Sequence, residues 1–219
     1  MAKLYNIHPK NPQMREIEAL RDDLRRGAVM LYPTDTVYAI GCDLSSKSAI
    51  KRVRQLKQLA NDKPLTFLCA SLSNIASYAY VSDPAYRIIK HLIPGPYTFL
   101  LPATKAVPRL VMNPKRRTTG IRVPNSPVCQ SLVSVLGNPV ISTSALSVAR
   151  NSTEDDIQAL SKAELFDRME KQVDVVVDSD SDLRYQVSTI LDLTSDSARV
   201  VRQGKGWEEA IAWGAELPA

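Results

Sequence analysis

The feature that most restricts the fold of this chain is a series of short apolar runs, separated by segments of helical spacing. The runs do not alternate strictly between apolar and polar residues, which is typical of strands that are covered on both faces of a sheet. They occupy residues 28–32, 65–70, 97–101, 139–143, 173–177, 188–193 and 199–202. We therefore expect an α/β or α+β domain in which helices flank a twisted, mixed β-sheet.

Capping residues predict where several helices begin. Asn11, Ser82 and Ser126 each stand just before a proline and an apolar stripe, and Gly137 stands where a helix after Ser126 would end. A further basic helix is predicted over residues 46–58. With the strands, the predicted order of elements is α-β-α-β-α-α-β-β-α-β-α-β-β-β-α.

The chain has 219 residues, no internal repeat and no linker rich in glycine or serine. We therefore expect one domain over residues 1–219, with a core of about residues 10–206. No apolar run reaches the roughly 18 residues that span a membrane, and the amino terminus has no apolar leader. We expect a cytoplasmic protein with no membrane partner.

Cysteines and histidines are few and scattered. Cys42, Cys69 and Cys129 show no CxxC spacing, and His8 and His91 lie far from them in the sequence. The spacing therefore predicts neither a disulfide framework nor a structural zinc site, and we expect no metal ligands.

Charge is distributed unevenly along the chain. Residues 44–153 contain fifteen Lys or Arg and only two acidic residues, Asp62 and Asp83, whereas seven basic and fifteen acidic residues follow from Glu154 onward. Signs normally intermix on a solvated surface. The central segment therefore predicts a positive field that attracts polyanions such as nucleotide phosphates or RNA.

Common catalytic and phosphate-binding motifs are missing. The sequence has no GxxxxGK[ST] or GxGxxG motif, and Gly204-Lys205-Gly206 fits neither spacing. No nucleophile pairs with a histidine motif, and His91 is expected to be a half-buried surface residue. A P-loop, a Rossmann nucleotide site and triad catalysis are therefore not supported.

Three polar turns next to predicted strands remain as candidate sites. The first, residues 32–41, holds two threonines, an aspartate and Gly41, but it also fits a simple Asx-turn. The second, residues 118–124, holds Arg122 at the end of a strand. Its guanidinium can bind a carboxylate or phosphate through two nitrogens, or can form a salt bridge, although no acid is near in sequence. The third, residues 142–144, follows a strand and also fits a serine-capped turn.

Taken together, these segments resemble the YrdC/YciO family, which includes the threonylcarbamoyl-AMP synthases of tRNA modification. The resemblance covers most of the chain and is closest to the YciO branch, through IHPKNPQ, RRTTGIRVPNSP and EKQVDVVVD. The segments that carry the family resemblance are, in chain order, PTDTVYAIG at 33–41, KQLANDKPL at 57–65, PGPYTF at 94–99, TTGIRVP at 118–124, ISTSA at 141–145 and VSTILDL at 187–193.

The resemblance implies a single α/β domain whose twisted sheet lines a positively charged cavity. It also implies an activity, in which L-threonine, bicarbonate and ATP give threonylcarbamoyl-AMP and pyrophosphate for N6-threonylcarbamoylation of adenosine 37 of tRNA. ATP would be a substrate, with Mg²⁺ as its companion ion. AMP, tRNA or double-stranded RNA, and tRNA-modification proteins are further partners that the family suggests.

The same resemblance implies roles for ten residues. Lys57 and Arg122 would be catalytic. Threonine would be bound by Thr36, Arg122, Ser142 and Ser188. The nucleotide would be bound by Lys57, Lys63, Thr118, Ser144, Ser152 and Arg202.

This chain departs from the family pattern at several positions. Leu59 and Ala60 stand where the KxRP motif of the synthases has arginine and proline, Leu68 replaces a polar residue, Leu146 replaces an asparagine and Ala39 replaces a glycine. Loss of one phosphate-binding arginine costs roughly 1.5–3 kcal/mol. Three hypotheses therefore stay open. The chain is a working synthase, a binding protein for nucleotide or RNA, or an enzyme for another carboxylate in which Leu68 faces a less polar ligand.

Overall fold

A mixed sheet of ten strands runs through the computed structural model, which describes residues 1–59, 64–145, 161–180 and 185–217. Its strand order is β1-β8-β2-β3-β7-β4-β6-β5-β9-β10. In chain order the strands are β1 (Lys3–Asn6), β2 (Met30–Tyr32), β3 (Ala39–Asp43), β4 (Thr66–Leu68), β5 (Tyr97–Pro102), β6 (Thr118–Arg122), β7 (Val140–Ser144), β8 (Val175–Asp178), β9 (Thr189–Asp192) and β10 (Arg199–Arg202). Four neighbouring pairs are parallel and five are antiparallel, which confirms the predicted mixed sheet.

Seven helices flank the sheet in the described part of the chain. They are α1 (Met14–Arg25), α2 (Lys47–Leu56), α3 (Leu72–Tyr78), α4 (Asp83–Leu92), α5 (Pro127–Leu136), α6 (Lys162–Met169) and α7 (Trp207–Ala212). None of these helices is long and apolar enough to cross a membrane.

Two of the three predicted helix caps are confirmed. The hydroxyls of Ser82 and Ser126 accept backbone N–H groups in the first turns of α4 and α5. The expectation for Asn11 is wrong, because α1 begins two residues later, after Gln13. The backbone N–H of Asn11 instead donates to Nδ1 of His8, so that residues 8–11 form a separate turn.

Two separate cores pack on the two faces of the sheet, because successive side chains of a strand point in opposite directions. One core lies under α1 and α5 and includes Tyr32, Leu68 and Val140 of the sheet. The other lies under the remaining helices and includes Phe67 and Ile141. Among the described residues, the core under α1 and α5 takes nothing from β5, β6 or β9. On the face that carries α1 and α5, these three strands are therefore not covered by that core, and a binding site can form there.

The seven apolar runs left out three strands, β1, β3 and β6. The predicted order of elements contains eight strands, because Arg122 was placed at a strand end, and it left out β1 and β3. The four residues of β1 pair with β8, and three of the four are exposed, so that no apolar run marks this strand. All five residues of β3, including Gly41 and Asp43, are buried between β2 and β7. Gly41 and the proline, threonines and Asp35 before it are typical of turns, which is why residues 32–41 were predicted to be a turn.

The three cysteines are structural. Cys42, Cys69 and Cys129 are buried free thiols. Burial raises the pKa of each thiol to about 12, because the thiolate cannot be solvated in the core. Buried thiols of this kind are chemically inert.

Close packing at Gly41 gives a test of the central sheet. A Cβ atom at this position would lie 2.4 Å from the carbonyl oxygen of Ile141 and 2.8 Å from the ring of Tyr32. We expect Gly41→Ala to lower the free energy of unfolding by about 3 kcal/mol, measured by urea denaturation. In the control, Gly137→Ala, the new Cβ meets nothing within 4 Å, and only the backbone conformation (φ 73°) is penalised, at about 1 kcal/mol. Equal losses in the two variants would contradict this account of β3.

Candidate functional site

A cavity of about 530 Å³ lies over the open part of the sheet, and we call it the main cavity. Its described lining combines three cations with many hydroxyl groups and a few apolar side chains, and contains no carboxylate. The lining residues are Thr34, Thr36, Val37, Ala39, Lys57, Leu59, Pro64, Leu65, Thr66, Thr98, Arg122, Ser142, Thr143, Ser144, Tyr185, Val187, Ser188, Ile190 and Arg202. This composition is suited to an anion that also carries hydrogen-bonding groups.

Strand register builds the floor of the main cavity. Thr66 on β4 is paired with Ser142 on one side and with Gly120 on the other, so these three residues lie side by side. A Cβ atom on Gly120 would lie 2.8 Å from Oγ1 of Thr66. Glycine at residue 120 therefore leaves room beside the hydroxyl of Thr66, which a larger residue would fill.

Arg122 ends β6 and lies in a buried network of polar groups. Its guanidinium donates to Oγ1 of Thr36 at 2.9 Å and to Oδ1 of Asp35 at 2.5 Å. Arg122 and Asp35 are each 6% exposed, so the pair is shielded from solvent. Nε of Arg122 is buried and has no hydrogen-bond partner among the described residues. A buried donor without a partner is costly.

Arg202 supplies a second guanidinium from the end of β10. It donates to the backbone carbonyl of Ser188 at 2.7 Å and to the Ser188 hydroxyl at 3.0 Å. The same hydroxyl lies 3.0 Å from Oγ1 of Thr98. Desolvation, and then the positive charge of Arg122, lower the pKa of the Arg202 guanidinium. Two guanidinium groups that repel each other in one cavity favour a shared anion.

Lys57 brings the third cation from the carboxyl end of α2. Its ammonium group donates to the backbone carbonyl of Ser144 at 3.0 Å, which ties α2 to the end of β7. Leu59 follows two residues later and also lines the main cavity. The apolar side chain of Leu59 therefore occupies lining that an arginine would make cationic.

The structure brings together seven of the ten residues that the sequence pattern suggested, namely Thr36, Lys57, Arg122, Ser142, Ser144, Ser188 and Arg202. Thr118 does not join them, because it is buried at the start of β6 and does not line the main cavity. Lys63 and Ser152 lie outside the described residues, as do Ala60 and Leu146.

The hypothesis that Leu68 faces a ligand is wrong. Its side chain is 1% exposed and packs in the core under α1 and α5 with Tyr32, Val128 and Cys129. Leu68 follows Thr66 on the same face of β4, but at that point α5 covers the sheet. Ala39 and Leu59, by contrast, do line the main cavity.

Sequence reasoning also missed several polar groups of the site. Asp35, the acidic partner of Arg122, is 87 residues away in the chain and was treated as part of a turn. The salt bridge proposed as an alternative for Arg122 is therefore real. Thr66 and Thr98 enter the main cavity through strand register. Thr98 lies within PGPYTF, one of the segments that carry the family resemblance. Its place in that segment could have marked Thr98 as a candidate site residue.

The fold and the site together define an α/β domain whose mixed sheet carries a cavity of cations and hydroxyls on one face. A family model for Sua5, YciO and YrdC proteins, described as "Telomere recombination", matches residues 22–204. The chain belongs to this Sua5/YciO/YrdC family.

Individual relatives cover nearly the whole chain. YciO of Escherichia coli (strain K12) is 40% identical over 206 residues, which are 94% of this chain and 97% of that protein, and its crystal structure matches with a TM-score of 0.84. A putative threonylcarbamoyl-AMP synthase of Methanocaldococcus jannaschii is 28% identical over 204 residues, 92% of this chain and 93% of the relative. Sua5 of P. abyssi, crystallised with L-threonine, shares the fold at a TM-score of 0.82 and 22% identity, over 98% of this chain and 62% of that one.

The buried ion pair predicts unequal roles of the two arginines in stability. Arg122→Met would leave the Asp35 carboxylate buried without its counter-ion, so we expect the free energy of unfolding to fall by about 3–5 kcal/mol in urea denaturation. Arg202→Met removes an exposed residue whose described partners are oxygens of Ser188. We expect the free energy of unfolding to fall by about 1 kcal/mol or less. Equal losses would show that the Asp35–Arg122 pair does not stabilise the fold.

Proposed function

We propose that this protein is a threonylcarbamoyl-AMP synthase-like nucleotidyltransferase. The observation that carries the proposal is the buried guanidinium of Arg122, with an unpartnered Nε, in a cavity that also holds Lys57 and Arg202. The relative from M. jannaschii carries the name of this activity, and the P. abyssi protein of the same fold binds L-threonine in its crystal. Both facts support the proposal.

The reaction asks mainly for positioning and charge neutralisation. The threonine amine and bicarbonate give a carbamate with loss of water, an oxygen of that carbamate bonds to the α-phosphorus of ATP, and pyrophosphate leaves. Arg122 would bind the carboxylate of threonine, with Thr36 and Ser142 beside it. Lys57, Ser144 and Arg202 would bind the nucleotide. Fixed cations near the phosphates stabilise the charge that develops on the leaving pyrophosphate.

The described residues are a poor fit for a resident Mg²⁺ site. This ion prefers carboxylate oxygens, and the described lining of the main cavity contains none. No group of three or more potential metal ligands occurs among the described residues. Mg²⁺ would therefore enter with ATP as its companion ion, and Lys57 and Arg202 would supply fixed positive charge to the phosphates.

A product assay tests the proposal. Purified protein is incubated with ATP, Mg²⁺, L-threonine and bicarbonate, with each omitted in turn, while pyrophosphate is measured and threonylcarbamoyl-AMP is sought by mass spectrometry. We expect pyrophosphate release that requires both threonine and bicarbonate, together with the adduct. Binding of ATP without any adduct would reject the synthase function.

Arg122→Lys gives the matched test of the carboxylate site. Lysine keeps the charge but loses the planar fork, so we expect kcat/KM for threonine to fall about ten- to a hundredfold. The control is Arg52→Met, because Arg52 pairs with Asp174 outside the main cavity. Unchanged kinetics in Arg122→Lys would contradict the role of Arg122.

Leu59 favours a second candidate function, in which the main cavity keeps a nucleotide, or RNA such as tRNA, without catalysis. In Leu59→Arg a guanidinium would enter the main cavity, and in a synthase we expect a rise in turnover of about ten- to a hundredfold in the product assay. Gln58→Arg adds the same charge at a neighbouring residue outside the lining and serves as the control. No gain in Leu59→Arg, with nucleotide still bound, would favour the binding function.

We further propose that residues 1–219 act as one domain in the cytoplasm, where ATP and threonine are available. The product, threonylcarbamoyl-AMP, is an activated acyl phosphate. It would pass to a tRNA-modifying protein that transfers the threonylcarbamoyl group to adenosine. The positive charge of residues 44–153 also suits direct contact with tRNA.

A further inference from the structure

The carboxylate of Asp35 supports Arg122 from outside the main cavity. Asp35 does not line that cavity. It lines a separate cavity of about 420 Å³, together with Lys205, Glu209 and Asn125. Among the described hydrogen bonds of the Asp35 carboxylate, the one to a residue that lines the main cavity is the bond from Arg122.

Asp35 is held at three atoms. Its Oδ1 accepts from Nη2 of Arg122 at 2.5 Å, and its Oδ2 accepts from the backbone N–H of Asn125 at 3.0 Å. Its backbone carbonyl accepts from Nζ of Lys205 at 3.3 Å. These bonds join the turn after β2, the turn after β6 and the segment after β10. Asp35 is thus fixed independently of any ligand.

The guanidinium of Arg122 is held at both ends. Nη2 donates to Asp35 and Nη1 donates to Thr36, which takes two of the five N–H groups. Nε–H has no hydrogen-bond partner among the described residues, and Nη1 and Nη2 each carry a second N–H group. Because the guanidinium is planar, holding two nitrogens also sets the directions of the remaining N–H groups.

We propose that Asp35 is a positioning residue, which fixes the plane of Arg122 so that its remaining N–H groups receive the carboxylate of the substrate. This inference rests on the proposed binding of threonine by Arg122. The competing account is that Asp35 occupies the carboxylate site of Arg122 until a substrate displaces it. The bonds to Asn125 and Lys205 favour positioning, because displacement would break a network that includes both turns.

The first test is the affinity for L-threonine, measured by calorimetry on the intact protein. Asp35→Asn keeps the size of the side chain but removes its charge, and an amide cannot accept from both Arg122 and Asn125 with two oxygens. We expect binding about ten- to a hundredfold weaker than in the wild type. The control is Asp43→Asn, because Asp43 is equally buried but accepts from Ser45 and does not contact Arg122. We expect its affinity to be unchanged.

The second test follows Arg122 itself and needs no ligand. The Nε–H proton of Arg122, assigned through Arg122→Lys, is observed by NMR in the wild type and in both variants. We expect a shifted signal with faster solvent exchange in Asp35→Asn and an unchanged signal in Asp43→Asn. This measurement separates loss of position from a general loss of stability.

The two tests distinguish their failures. Unchanged or tighter threonine binding in Asp35→Asn, or an unchanged Arg122 signal, would overturn the inference. The wild type could bind no threonine while the Nε–H signal of Arg122 still changes in Asp35→Asn. In that case the proposed function fails and the positioning of Arg122 by Asp35 stands. Should Asp35→Asn not fold, Lys205→Gln removes only the bond to the Asp35 carbonyl. A two- to fivefold weaker affinity is then expected, and no change would overturn the inference.

Discussion

The sheet of this protein is wider than the helices that cover one of its faces, and the site depends on this mismatch. In the order of the sheet, helices α1 and α5 cover much of one face of the strands from β1 to β4, and Thr66 and Ser142 lie at the border of the main cavity. Beyond them, β6, β5 and β9 present Arg122, Thr98 and Ile190 on the same face, where the main cavity lies. Apolar side chains there would need a further covering layer. Cations and hydroxyls instead leave a stable cavity that water or a ligand can fill.

The electrostatics of the main cavity follow from how each cation is held. Arg122 is neutralised by Asp35 from outside the cavity, whereas the described partners of Arg202 and Lys57 are backbone carbonyls and a serine hydroxyl. Carbonyl oxygens orient a cation without cancelling its charge. Arg202, which the Ser188 oxygens orient, therefore keeps its positive charge in the main cavity. At Leu59 the cavity lacks a cation that the sequence pattern of the synthases implies.

Several features could be predicted from the sequence because their causes are local. Serine caps at Ser82 and Ser126 gave the correct starts of α4 and α5, since a capping hydroxyl acts within three residues. Strand β3 was missed because its burial comes from neighbours that are distant in the chain, and Leu68 was misplaced because a helix 60 residues later covers it. The family resemblance suggested seven residues that line the main cavity but not Asp35, whose contact with Arg122 spans 87 residues.

By itself, the sequence determined the class of fold, the family, the basic character of the central segment and the residue types of the site. These follow from periodicity, charge and motif spacing, all of which are properties of nearby residues. Only the tertiary structure decided which side chains share the main cavity, that Leu68 is a core residue, and that Asp35 holds Arg122. Strand register and helix coverage set those contacts, and both depend on the packing of segments that are far apart in the chain.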